Sequence, residues 1–196
     1  MDLGQLFEPR DSLGVGYRTR VSLQNQSPVV YDYSTAVLAF PVNPTADDQF
    51  TRNDITLTRS GGSSYTDSVS TGPLSTQDPP NGVGAYTYSA TVIAYADSQL
   101  SPMVTWMLAT GTVNELRYPQ LAFDLTRSEI AGQLAQTADL DVGDYIQVTR
   151  PPSFLTTSNI DQLCWGFTET LNNYVWTIAV NAVPEDPYTG GGLPTW

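Results

Sequence analysis

Residues 140–152, LDVGDYIQVTRPP, constrain the fold of this chain more than any other stretch. Asp141-Val142-Gly143-Asp144 is a turn, because Asp and Gly tolerate the backbone conformations that reverse a chain. A strand follows, with Ile146 and Val148 on one face and Tyr145, Gln147 and Thr149 on the other. Pro151-Pro152 stops it, since proline donates nothing to a ladder and restricts the residue before it. A strand fixed this sharply at both ends needs partners, and the flanking sequence offers them.

Upstream, residues 116–125 read as a strand with Leu121, Phe123 and Leu125 inward. Thr126-Arg127-Ser128-Glu129 has the spacing of a capping box. It opens a helix over residues 127–138 with Ile130, Leu134 and Ala138 on one side, weakened at Gly132 by about 1 kcal/mol against Ala. Downstream, residues 162–170 form a strand with Leu163, Trp165 and Phe167 on one face. Asn172-Asn173 turns the chain, and residues 174–183 return with Trp176, Ile178, Val180 and Ala182 aligned. Another helix is expected over residues 98–110. Ser101 can cap it with Pro102 in its first position, or it opens a turn earlier, at Asp97 or Ser98; Met103, Trp106 and Met107 share one face, and Gly111 ends it.

The N-terminal half reads as strands. Residues 1–16, with Gly4, Gly14 and Gly16, form an arm or linker, so the chain is expected to begin within a longer protein. Residues 18–24 alternate loosely. Residues 29–42 make a longer run that Pro41 and Pro44 close, and the acidic loop 45–48 follows. Residues 54–59 alternate with Ile55 and Leu57 inward, Ser60-Gly61-Gly62-Ser63 turns, and residues 64–69 return. Residues 70–84 hold Pro73, Pro79, Pro80, Gly72, Gly82 and Gly84, an unusually long loop for a compact domain. Residues 85–95 are a further strand. The fold class is α+β, dominated by β.

Composition supports this and removes much chemistry. Of 196 residues 40% are hydrophobic, enough for a core, and only 14% are charged, below the usual quarter or so. There are 8 Arg, no Lys and no His against 20 acidic residues, a net charge of −12. That balance opposes a phosphate backbone and an anionic membrane surface. No apolar run approaches the roughly 18 residues of a membrane span, and MDLGQLFEPR lacks the basic start and apolar core of a signal peptide. Without His or Lys there is no Ser-His relay, Schiff base or phosphate-loop lysine. Cys164 stands alone between Leu163 and Trp165 and reads as a buried, inert thiol.

Carboxylate chemistry and hard-metal binding remain. A glycosidase needs two carboxylates about 5–10 Å apart; Glu115 and Glu169 lie near aromatic strands but read equally as outward residues. Asp139, Asp141 and Asp144 give D-x-D-x-x-D, a weak candidate calcium site that lacks the spaced glutamate of an EF-hand; Asp is also a common turn former. Trp106, Trp165 and Trp176 sit on apolar faces and read as core, leaving Trp196 as the exposed tryptophan. No catalytic residue and no cofactor is assigned.

Four stretches in order resemble the C-terminal region of minor tail proteins of phages and prophages of actinobacteria: YSATVIAYADSQLSPMVTWML (residues 88–108), NELRYPQLAFDL (114–125), LDVGDYIQVTRPP (140–152) and IDQLCWGFTETLNNYVWTIAVNAVPEDPY (160–188). NDITLTRSGG (53–62) is similar to the strand and turn that open such a domain in baseplate-hub proteins. The resemblance implies mixed sheets or a split β-barrel of the tail-hub type. The patterns along the chain divide it into an arm (1–16), a β-rich portion (17–96, with the loop 70–84), a helix-strand-helix-strand-hairpin portion (97–187) that the resemblance makes hub-like, and a tail (188–196). The resemblance implies a virion component of the tail tip, made in the host cytoplasm. The partners implied are tube, distal tail, and fibre or tape-measure proteins, in a homo-oligomer such as a trimer. No nucleic-acid contact and no membrane insertion are expected, and no enzyme activity. The acidic surface is expected to face a lumen or solvent and keep passing DNA from adhering. The competing readings are a carbohydrate- or cell-surface-binding β module and a hydrolase.

Overall fold

The computed structural model describes residues 5–24, 26–39, 42–45, 49–155 and 157–189. In chain order the strands and helices are β1 (Gln5–Phe7), β2 (Gly16–Arg18), β3 (Val29–Asp32), β4 (Leu38–Ala39), β5 (Asp54–Arg59), β6 (Ser64–Ser68) and β7 (Thr87–Val92). There follow α1 (Leu100–Gly111), β8 (Gln120–Asp124), α2 (Leu134–Ala138), β9 (Tyr145–Thr149), β10 (Asn159–Leu171), β11 (Trp176–Pro184) and α3 (Asp186–Thr189). The fold is α+β and β-dominated, with a curled mixed sheet and a few short helices. Two compact units emerge. One holds the described residues of 49–115, the other those of 5–45 and 116–189. Within the first unit α1 packs on β5 and β6.

The first unit is a three-stranded sheet ordered β6-β5-β7, antiparallel then parallel. The expected turn at residues 60–63 closes the β5–β6 hairpin with Gly61 at φ +72. Ile55 and Leu57 are buried, as are Leu100, Met103, Val104, Trp106 and Leu108 of α1. The helix opens one turn before Ser101: a 3-10 turn, Asp97–Gln99, runs into it, and Pro102 sits inside the first turn, where a missing N–H costs nothing. Gly111 ends it at a close approach, its carbonyl accepting from Arg52 N at 2.9 Å. A Cβ there would lie 2.5 Å from Arg52 O.

Asn53 organises the long loop. It is fully buried. Its Nδ2 donates to the carbonyls of Leu74 (3.0 Å) and Gly84 (2.8 Å), and its Oδ1 accepts from Tyr86 N (2.7 Å). Every hydrogen-bonding direction of the amide but one is thereby used, and residues 70–84 are held without secondary structure of their own.

The second unit is a six-stranded sheet ordered β3-β9-β10-β11-β8-β4, with β3 parallel to β9 and the other pairs antiparallel. Its core gathers Tyr31, Leu38, Leu121, Phe123, Ile130, Ile146, Val148, Ile160, Cys164, Ile178 and Val180. Tyr31 and Phe123 meet with ring centroids 4.6 Å apart, and Tyr31 Oη shares a 3.0 Å hydrogen bond with Thr137 Oγ1.

Several local expectations give way to side-chain chemistry. The run expected over residues 29–42 breaks after β3, where the Asp32 carboxylate accepts from Ser34 N and Oγ and caps a 3-10 turn, Tyr33–Thr35; Phe40 and Pro41 lie outside the described residues. The strand expected at 18–24 ends at Arg18 and passes into a 3-10 turn, Val21–Leu23. Residues 5–7 and 16–18, read as arm, pair as an antiparallel ribbon. The helix expected over 127–138 begins as a 3-10 helix, Ser128–Gln133, and becomes α-helical only in α2. Its capping box is not formed: Thr126 Oγ1 donates back to Asp124, and Arg127 holds the N-cap without a side-chain bond. After β11 the chain turns into α3 at Asp186, and residues 190–196, with Trp196, lie outside the described residues.

The largest departure is in β10. The β10–β11 register shifts between Cys164 and Gly166, leaving Trp165 as the extra residue of a β-bulge. Ile160, Gln162 and Cys164 face the core before it; Phe167, Glu169 and Leu171 share the face of Val180, Ile178 and Trp176 after it. Trp165 is therefore 45% exposed rather than core, and unbroken alternation of Leu163, Trp165 and Phe167 does not occur.

Asn53→Ala removes both donors and the acceptor that secure the loop. It is expected to destabilise the first unit by about 2–4 kcal/mol and to raise proteolytic cleavage and amide exchange within residues 70–84, read by chemical denaturation and exchange mass spectrometry.

Candidate functional site

The acidic turn singled out in the sequence lies in the second unit, beside a cleft of about 610 Å³ lined by Phe7, Pro9, Arg10, Arg18, Ala138 and four aspartates, Asp11, Asp139, Asp141 and Asp144. Its backbone explains the aspartates first. Asp139 ends α2, its N–H donating to Ala135 O. Asp144 N donates to Asp141 O (3.1 Å) and closes the turn. Asp144 Oδ2 accepts from Asp141 N (2.8 Å) and Asp141 Oδ1 from Val142 N (2.7 Å). Gly143 stands at φ +90, where a side chain is strained whatever the space. There is little space in any case: a Cβ would lie 2.7 Å from both Arg18 Cδ and Leu23 Cδ2.

The turn is joined to the sheet by reciprocal backbone bonds. Gly143 N donates to Cys164 O (2.7 Å), and Cys164 N donates to Asp144 O (2.9 Å). They continue the β9–β10 ladder one step beyond Leu163–Tyr145 and fall at the first residue of the bulge. The turn, the bulge and the buried Cys164 are one structure.

The Arg18 side chain pairs with Asp144, and the Arg10 backbone bonds Asp141. Arg18 Nη1 lies 2.8 Å from Asp144 Oδ1, with its guanidinium over the Phe7 ring at 5.6 Å. Arg10 makes four contacts. Its backbone N donates to Asp141 Oδ2 (3.1 Å), Nη1 to Leu140 O (3.4 Å) and Nη2 to Glu169 Oε2 (2.6 Å), while the guanidinium stacks over Phe167 at 4.4 Å. Trp176 Nε1 donates to the other oxygen of Glu169 (2.6 Å). Asp139, Asp141 and Asp144 thus border one cleft, but two of the three are engaged by backbone amides and arginines. Among the described residues, no three His, Cys, Asp or Glu side chains gather as a metal-holding group.

The carboxylates and aromatics weighed in the sequence are shared between the two units. Glu169 belongs to the second unit and Glu115 to the first. Trp106 is buried, and Trp176 is half-buried. The exposed aromatics are Tyr17 on β2, Phe154 in a loop, Trp165 at the bulge and Tyr174 at the β10–β11 turn, with Phe50, Tyr88 and Tyr95 in the first unit. Sequence reading missed Arg10 and Arg18 as the organisers of this region. Their partners are up to 159 residues away, and no local pattern marks them.

Cys164 is fully buried, and burial pushes its thiol up to about 12. Burial likewise pushes the phenols of Tyr31 and Tyr188 up to about 12. Tyr145 is raised too, first by burial and then by donating to Asp161 Oδ1 at 2.6 Å.

No protein-family model matches the chain, and no curated protein matches it. Its fold is similar to that of a solved structure, the 43 kDa tail protein of prophage MuSo2 from Shewanella oneidensis, with a TM-score of 0.51 and 9% sequence identity. The match covers 94% of this chain and 48% of that one, so the chain spans about half the length of that tail protein. At this identity the likeness is one of fold.

Gly143→Val is expected to cost about 2–4 kcal/mol, from strain at positive φ and from the clash with Arg18 and Leu23, read as a lower denaturation midpoint. Cys164 is expected to resist thiol reagents in the native chain and to react once unfolded. The raised groups also fix an alkaline limit. Above pH 9 the unfolded chain releases protons from cysteine and then tyrosine while the native chain keeps them. Stability therefore falls as pH rises from about 9 to 12, and a denaturation series in pH checks the sign.

Proposed function

We propose that this chain is a structural component of a phage tail, placed at the tail tip or baseplate, acting through protein–protein contacts rather than catalysis. The observation that carries the reading is the likeness of fold to a prophage tail protein over 94% of the chain. It agrees with the ordered motifs of residues 88–188, which resemble minor tail proteins. The absence of His and Lys from the sequence and the engagement of Glu169, Asp141 and Asp144 by arginines and backbone leave little for acid–base chemistry.

Surface character supports assembly. Along the β1–β2 ribbon and its connection, Leu6, Leu13, Val15 and Tyr17 are exposed, with Leu6 and Tyr17 directly paired across the strands. Apolar groups concentrated in so short a segment are costly to leave in water. The partners in this reading are other tail proteins, among them tube, distal tail, and fibre or tape-measure proteins, and further copies of the chain, with a trimer as the simplest ring. The net charge of −12 suits a component that DNA passes without adhering.

An antibody against the chain is expected to label the distal end of tails in purified particles, viewed by electron microscopy. Particles that lack the chain, or intact infectious tails after its deletion, would overturn the reading. Sedimentation of the purified chain is expected to show an oligomer; a monomer with affinity for a cell-wall glycan would favour the carbohydrate-binding reading instead.

A further inference from the structure

β10 is 13 residues long, and its two sides are covered unequally. On one side β11 pairs with it from Gln162 to Leu171. On the other, β9 pairs only with Asn159 to Leu163, and the turn adds Cys164. From residue 166 to 171 no described strand lies on that side.

Parity identifies the groups left open. At the hairpin end Asn172 N donates to Val175 O (2.8 Å), which makes 172 and 175 a hydrogen-bonded pair. Alternation along an antiparallel ladder then points the N–H and C=O of Leu171, Glu169 and Phe167 away from β11. No hydrogen bond from a described residue reaches these backbone groups. The segment also lacks the usual protection of an edge: it carries no Pro and no Lys, and its one charge, Glu169, is paired with Arg10 and bonded to Trp176. Thr168, Thr170 and Leu171 are exposed, Leu171 at 72%.

We infer that residues 166–171 of β10 are a docking edge for an extended segment of another protein, which adds a strand in line with β9. The open row recognises an extended backbone, since three N–H and three C=O groups at a two-residue repeat are matched by the same row on an incoming strand. Charge decides against a second copy of this chain. The self-pairing register that uses all three outward residues sets Phe167 across from Leu171 but Glu169 across from Glu169. Like charges directly opposite are destabilising, and the Arg10 of each copy is already bonded to its own Glu169 and stacked on Phe167. The occupant is a strand of a different protein, with apolar residues opposite Phe167 and Leu171 and a basic or neutral residue opposite Glu169. The assignment rests on the edge itself and does not depend on the tail reading.

Amide exchange by NMR tests it on the full chain, with the capped peptide acetyl-Thr-Val-Thr-Lys-Thr-Val-Thr-amide as the probe. In the dilute free chain the amides of Phe167, Glu169 and Leu171 are expected to exchange much faster than those of Thr168 and Thr170. Millimolar peptide is expected to slow the three by about tenfold or more. The same peptide N-methylated at Val, Lys and Val, which cannot donate to the edge, is expected to have no effect. Three results would overturn the proposal: protection of the three amides in the dilute free chain, protection that grows with protein concentration alone, or no response to the unmethylated peptide. Presence of the chain in tail particles is read separately, so either conclusion can fail without the other.

Discussion

The second unit depends on the pair of backbone bonds between Gly143, Asp144 and Cys164. They carry the β9–β10 ladder out of the strand and into the turn, and the bulge begins where they end. Because Gly143 sits at φ +90, its amide can reach Cys164 O while its carbonyl accepts from Gln26 Nε2 at 2.8 Å. The turn is thereby tied to the strand on one side and to the segment leading to β3 on the other. Cys164 is fully buried, and a buried backbone N–H or C=O left unpaired is costly, which holds this geometry.

The bulge divides β10 into two strands in one. Its first half is buried between β9 and β11; its second half is covered on one side and anchored on its face by Arg10. That arginine bridges a turn, a strand and the N-terminal segment at once. A cation stacked on Phe167 and bonded to Glu169, which also takes the Trp176 indole N–H, can hold an acidic residue on a partly apolar face without leaving it uncompensated. The β1–β2 ribbon is too short to be stable alone; Arg10 and Arg18 supply the ties that its few backbone bonds do not.

Local periodicity revealed most strands and α1, because burial of one face leaves a two-residue or 3.6-residue trace. The turn at 141–144 was legible for the same reason: Gly143 and its flanking aspartates are chosen by backbone conformation. What was not legible is set by distant partners. Nothing around residue 165 announces a bulge, since it arises from the register of β11, so Trp165 was assigned to the core by an alternation that the strand does not keep. Thr126 and Glu129 have the spacing of a capping box, yet Asp124 takes the hydroxyl first. Asp32 ends a run that its apolar neighbours would continue. Asp139, Asp141 and Asp144 border one cleft, but what engages Asp141 and Asp144 there, the Arg10 backbone and the Arg18 guanidinium, comes from the far end of the chain, where no local pattern marks it.

Asn53 has a consequence for how the chain can vary. The loop between β6 and β7 is secured through the carbonyls of Leu74 and Gly84 and the amide of Tyr86, groups that any residue type supplies. Other positions of the loop are fixed by what they are: Gly72 and Gly84 stand at positive φ, a Cβ on Gly82 would meet Gln77 O at 2.5 Å, and the side chains of Ser75, Thr76 and Gln77 donate to nearby carbonyls. A clasp at the root of the loop and a few fixed positions within it leave the remaining exposed residues as the part of this unit on which substitutions can accumulate while the sheet beneath stays the same.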